Sequence, residues 1–157
     1  MPSLKLGVLD LPYADAASYK EVKQRKPKHM SSLTTGDVAE ILEDEYHIME
    51  VFFELHGQEI ADKLAEGMID TIESLELGAP VGLDPYGDAM QWAEQRFREF
   101  IRDREMERLG IPGVPTKAAM EGHSKRFKQP YKKRKSRPSF VDTGLFVGAF
   151  KAWVEEQ

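Results

Sequence analysis

The sequence predicts a mostly α chain of four or five helices, with an extended N-terminal arm and room for one short β segment. Three observations carry that prediction. Apolar residues recur at spacings of three and four through most of residues 34–109. Capping residues and Gly/Pro clusters cut this pattern into helix-sized pieces. A strand-like stretch appears only once, in "KLGVLDL" near the N-terminus.

Residues 1–34 read as the extended arm. After the strand-like stretch, "SYKEVKQRKPKHMSS" is polar and basic, contains a proline and keeps no period. Such a segment orders against something else. Residues 35–157 read as the helical domain. Thr34 or Thr35 caps its first element, with acids in the first turn where the helix dipole favours them. Val38, Ile41, Leu42, Tyr46, Met49, Phe52 and Phe53 form the apolar stripe, continued by Ile60, Leu64, Met68, Ile72 and Leu75. Gly57 marks a kink or a break in this stretch, and Gly78 with Pro80 stops it. Asp84 caps the next helix with Pro85 at its first position. That helix buries Met90, Ala93, Phe97 and Phe100 or Ile101, with Met106 and Leu109 as further candidates. Gly110 ends it. Thr116 caps a short helix, a basic loop spans 123–138, and a C-terminal amphipathic helix is expected over 143–155. Its stripe is Leu145, Phe146, Ala149, Phe150, Trp153 and Val154.

Composition excludes several classes. The 157 residues are enough for one domain, and 41% are hydrophobic. No apolar run approaches the roughly 18 residues of a membrane span. No basic segment leads into a long apolar stretch at the N-terminus, so no signal peptide is expected. With no cysteine there is no disulfide, thiolate metal site or cysteine nucleophile.

The net charge of −5 conceals a strong separation. Residues 35–76 hold thirteen acids against the single base Lys63, a net −12. Residues 123–138 hold eight bases and no acid: Lys125, Arg126, Lys128, Lys132, Lys133, Arg134, Lys135 and Arg137. This charged interaction surface, with Phe127 and Tyr131 interleaved, suits nucleic acid, because bases neutralise phosphates and rings stack on unpaired bases. It equally suits the acidic helix of a neighbouring copy. Docking to protein ranks first because the chain supplies its own acidic counterpart.

Catalytic patterns are weak. Asp44-x-x-His47 resembles half of a bundle metal motif, but no second copy exists, and a solvated acidic face explains it. His29, His56 and His123 stand alone, and no Gly-rich phosphate loop occurs. Asp142-Thr143-Gly144 is similar to the aspartic-protease triplet, yet that chemistry needs a second triplet or a dimer in a β-rich chain. No catalytic, metal or cofactor-binding residue is therefore assigned, and the chain is expected not to be an enzyme.

The tract "RPSFVDTGLFVGAFKAWV" resembles tailed-bacteriophage virion proteins of the head–tail joining, neck and tail-completion kind. These contain an Asp-Thr-Gly followed by an amphipathic helix. Here that is Asp142-Thr143-Gly144 as the helix start, then Leu145 to Val154. The resemblance covers residues 112–154, with a fainter echo over 34–77. It implies a multi-copy structural subunit of the virion, assembled in the host cytoplasm. Its partners would be copies of itself in a ring, adjacent phage structural proteins and packaged DNA, with no membrane. Phe146, Phe150 and Trp153 are the expected apolar anchors. In the family's tail-completion fold, helices pack on an antiparallel sheet and strands follow the Asp-Thr-Gly helix. A helix running to residue 155 leaves no strand to follow it, which sets this chain apart. The alternative function is a nucleic-acid-binding module using the 123–138 loop.

Overall fold

Thr34, rather than Thr35, caps the first helix. Its hydroxyl accepts the Asp37 N–H at 3.2 Å, and the Asp37 carboxylate accepts the Thr34 N–H at 2.9 Å, a reciprocal capping box. The computed structural model of the chain describes residues 3–13, 34–82, 84–122, 135–141 and 144–155. Their order is β1 (Ser3–Val8), α1 (Thr35–Tyr46), α2 (Ile48–Glu76), α3 (Gly87–Arg102), a 3-10 turn at Met106–Leu109, α4 (Lys117–Glu121), α5 (Leu145–Ala149) and β2 (Phe150–Glu155). The fold is mostly α, with five helices beside a two-stranded antiparallel sheet.

The break in the long acidic stretch falls at His47, not at Gly57. His47 adopts φ 52° and ψ 45°, closing α1 and opening α2 from the left-handed region. Glu43 stabilises the junction. Its two carboxylate oxygens accept the first free N–H groups of α2, from Met49 at 2.7 Å and Glu50 at 3.1 Å. Gly57 lies inside α2, where a Cβ would meet the Phe53 ring at 3.3 Å. Its missing side chain lets that ring lie along the helix.

Four fully buried rings join α2, α3 and β2: Phe52, Phe97, Phe100 and Phe150. Phe97 and Phe150 stack with centroids 3.8 Å apart, and Phe52 meets both edge-on. Both Phe100 and Ile101 are buried, as are Met90, Ala93 and Met106, whereas Leu109 is exposed. Helix α3 runs back along the first half of α2. Salt bridges from Arg98 and Lys151 to Glu94 tie it to itself and to β2.

The expected helix over 143–155 does not form. α5 ends at Ala149, and β2 follows it, pairing Phe150 with Val8 and Glu155 with Ser3. The physical reason is a backbone one. By residue 149 the helix has already delivered Phe146 and Ala149 to the core. A strand then buries Phe150 and Ala152 by alternation and satisfies the hydrogen-bonding edge of β1 as well. Gly7 makes room for this pairing, because a Cβ there would press on the Trp153 indole at 3.0 Å.

The first part of the expected arm is therefore built into the body. Leu9 N–H donates to the Ala149 carbonyl at 2.8 Å. Thr35, fully buried, accepts the Leu11 N–H at 2.8 Å and donates its hydroxyl to the Leu9 carbonyl. Asp10 accepts the Gly36 N–H at 3.0 Å. The remainder of the arm, 14–33, lies outside the described residues.

Phe97 is the ring shared by all three elements. Phe97→Ala should cost about 3–5 kcal/mol of unfolding free energy in urea titration. Leu77→Ala, at a residue 85% exposed, should change it by less than about 0.5 kcal/mol.

Candidate assembly surface

Helix α2 is longer than the body that supports it. Ile48, Phe52, His56 and Ile60 are buried at every fourth position, and Leu64 is half-buried against the same core. At Gly67 the helix touches the loop leading into α3 so closely that a Cβ would stand 2.4 Å from the Pro85 carbonyl oxygen. Past that point Met68, Ile69, Ile72 and Leu75 are all exposed, as is Leu77 just beyond the helix. Each residue turns the helix by about 100°, so Leu64, Met68, Ile72 and Leu75 share one stripe. By the same rotation Glu76 flanks it, whereas Asp62, Glu66 and Glu73, also exposed, fall on the other side of the helix. The stripe is as periodic as the sequence predicts, but its outer half faces solvent instead of a core.

The predicted site residues divide. Phe146 and Phe150 are core residues, 4% and 0% exposed, and not anchors for a partner. Their burial follows from the helix-to-strand change, which aims both at Phe97. Trp153 alone is exposed, at 45%, on the outer face of β2 opposite Lys5. Gly144 enters α5 at φ 79°, the tight entry its lack of a side chain permits. Asp142 and Thr143 lie outside the described residues, as do Lys125, Arg126, Lys128, Lys132, Lys133 and Arg134. Of the basic set, Lys135 is exposed and Arg137 is half-buried. Both ends of the basic segment are tied to one atom. The Gly122 and Arg137 N–H groups donate to the Ala119 carbonyl at 3.2 and 3.0 Å.

Beside that tie, a cleft of about 310 Å³ opens between α1, α4 and the 137–146 stretch, lined by Val38, Leu42, Tyr46, Ala119 and Phe140 among others. Burial first, and the neighbouring Glu45 second, raise the Tyr46 phenol above its usual pKa. Glu43, His47 and Glu50 bring ligand-type atoms within 4.8 Å of one another. Glu43 is already committed to two backbone N–H groups of α2, and His47 to Glu50 at 3.3 Å, so helix junction geometry accounts for the cluster.

A polar network went unnoticed in the sequence. His56, 5% exposed, contacts the Glu105 carboxylate through Nε2 at 3.0 Å. Arg96 donates to the other oxygen of Glu105 at 2.8 Å and lies 3.9 Å from Glu59. This joins α2, α3 and the turn that precedes Met106. No spacing rule could have found it, because the partners are 49 residues apart. Among the described residues no helix is long and apolar enough to cross a membrane.

Comparison with known proteins gives no matching family model, no similar characterised protein and no similar solved structure. Function is therefore argued from the residues.

Glu105→Ala strands a buried imidazole and leaves Arg96 without its closest partner. It should lower stability by about 2–3 kcal/mol in chemical denaturation. Ile72→Ala, on the exposed stripe, should stay within about 0.5 kcal/mol of the parent chain.

Proposed function

We propose that this chain is a non-enzymatic, multi-copy structural subunit of a tailed-phage virion, placed at the head–tail connection or at tail completion. One observation carries the reading. After the Asp142-Thr143-Gly144 triplet the chain makes a short helix and then a strand, and that strand completes an antiparallel sheet on which α3 packs. Strands after the Asp-Thr-Gly helix, with helices on an antiparallel sheet, are what the resemblance to tail-completion proteins implies. The periodicity of the sequence pointed to a helix there, so the strand supports the resemblance through the backbone rather than through residue identity.

The chemistry of the surface fits the same role. The overhanging end of α2 offers exposed apolar side chains on one side, and Trp153 stands exposed on the sheet. Aromatic and aliphatic groups that are exposed alone but buried on contact are the usual anchors of protein interfaces. The chain would assemble in the host cytoplasm into a ring of copies, contact adjacent virion proteins, and present the 123–138 bases to protein or to packaged DNA.

Electron microscopy of particles made when the gene is disrupted tests this. Filled heads beside separate, finished tails are expected for a joining protein, and filled heads with absent or overlong tails for tail completion. Normal, infectious particles would overturn the reading. The nucleic-acid module would replace it if neutralising Lys132, Lys133, Arg134 and Lys135 abolished salt-dependent DNA binding while assembly stayed normal.

A further inference from the structure

We infer that the outer edge of β2 is a docking site for β2 of a second copy of this chain, the two strands running antiparallel across a two-fold axis. This goes beyond the reading above and does not depend on it, because a two-fold contact closes at two copies whereas a ring needs a different one.

The backbone defines the site. β1 and β2 form a two-stranded sheet, and among the described residues no further strand joins it. Leu9 N–H donates to the Ala149 carbonyl in the register of the ladder. Antiparallel pairs alternate, so the backbone groups of Lys151, Trp153 and Glu155 face β1, and those of Ala152 and Val154 face outward. A groove of about 620 Å³ runs beside that outward edge, between Lys151, Ala152, Trp153 and Val154 and the start of α3 at Tyr86 and Gly87. Consecutive strand residues point to opposite faces, so a groove that touches all four follows the edge and not either face. An edge of this kind is a template for another extended chain.

Side chains select the occupant. Phe150 and Ala152 are buried inward, and Lys151, Trp153 and Glu155 lie on the outer face. Pairing Ala152 with the partner copy's Val154, and Val154 with its Ala152, uses the outward N–H and C=O groups of both strands. The same register sets Lys151 opposite the partner copy's Glu155, and Glu155 opposite its Lys151, with Trp153 on the two-fold axis. The order base, aromatic, acid is therefore complementary to itself when antiparallel, whereas in-register parallel pairing would set like charges together. Within one copy Lys151 meets Glu94 at 3.0 Å and Glu155 meets Lys5 at 3.6 Å. The Lys151 and Glu155 side chains are still 42% and 56% exposed, and pairs so exposed exchange partners at little cost. The Trp153 indole leans over Gly7 of β1, on the side away from the edge, and leaves the edge clear.

Analytical ultracentrifugation and amide hydrogen exchange of the full chain test this. The parent chain should dimerise, and exchange at the Ala152 and Val154 amides should slow as concentration rises. Val154→Pro removes an N–H that faces only the edge, a position where a strand tolerates proline, and should abolish the dimer. K151E and E155K each set like charges opposite one another at both pairs. Each alone should weaken dimerisation about tenfold while staying folded by circular dichroism. Mixing the two should restore it, because acid again meets base at both pairs, and K151E/E155K in one chain should dimerise as the parent does.

A parent chain that is monomeric at about 1 mM overturns the inference. Ala152 and Val154 amides equally protected at every concentration also overturn it, since the edge would then be covered within one chain. So does a mixture of the folded single variants that associates no more tightly than either alone. If Val154→Pro fails to fold, the charge exchange still decides, because it alters only side chains of the outer face. The gene-disruption experiment reads the proposed function separately: a monomeric chain whose loss leaves particles unjoined sinks only this contact.

Discussion

The stacked pair Phe97 and Phe150, with centroids 3.8 Å apart, is the contact from which the rest of the structure hangs. Phe97 belongs to α3 and is braced by Phe52 of α2, so the rings fix the two long helices against each other. Phe150 is the first residue of β2, so the same pair fixes where the chain turns from helix to strand. Once β2 is placed, β1 has a partner for its backbone, and the hydrogen bonds of Leu9, Asp10 and Leu11 locate the start of α1. Aromatic contacts of this kind add about 0.5–1.5 kcal/mol each beyond the area they bury, and here several share the same rings. The N-terminus and the C-terminal strand are thus linked to one aromatic cluster although they are almost a chain length apart.

That cluster also explains why the end of α2 is exposed. It sits where α3 covers the first half of α2, and the loop leading into α3 touches α2 through Pro85, opposite Gly67. The helix continues for about another 13 Å beyond that point, with its apolar stripe uncovered. The acids of this part of α2 lie mostly on the opposite side of the helix, so the exposed end is apolar on one side and negative on the other. The Gly122 and Arg137 N–H groups, on either side of the basic run, both meet the Ala119 carbonyl of α4.

Much of the fold was legible in the residues. The capping box at Thr34, the α3 core of Met90, Ala93, Phe97 and Phe100, and the Thr116 cap of α4 all follow local rules, and all are present. The α1–α2 break was misplaced because glycine is the usual signal for a break, whereas the actual junction depends on Glu43 reaching over His47 to cap α2. The candidate site was legible only in part. Its apolar stripe follows from spacing and its acidity from composition, but spacing cannot tell a buried stripe from one that extends past its support. Trp153 is exposed, while Phe146 and Phe150, given the same anchoring role for the same periodic reason, are core.

The sequence by itself determined the helical class, the separation of charge, and the positions of caps and stops, because these depend on neighbours within a few residues. Residues 150–155 mark the limit of such reasoning. Phe150, Lys151, Ala152, Trp153, Val154 and Glu155 fit a helical stripe with the residues before them, and they also alternate as a strand does. Only the tertiary structure decided between the two, since a strand is stabilised by its partner, and that partner, β1, lies at the opposite end of the chain.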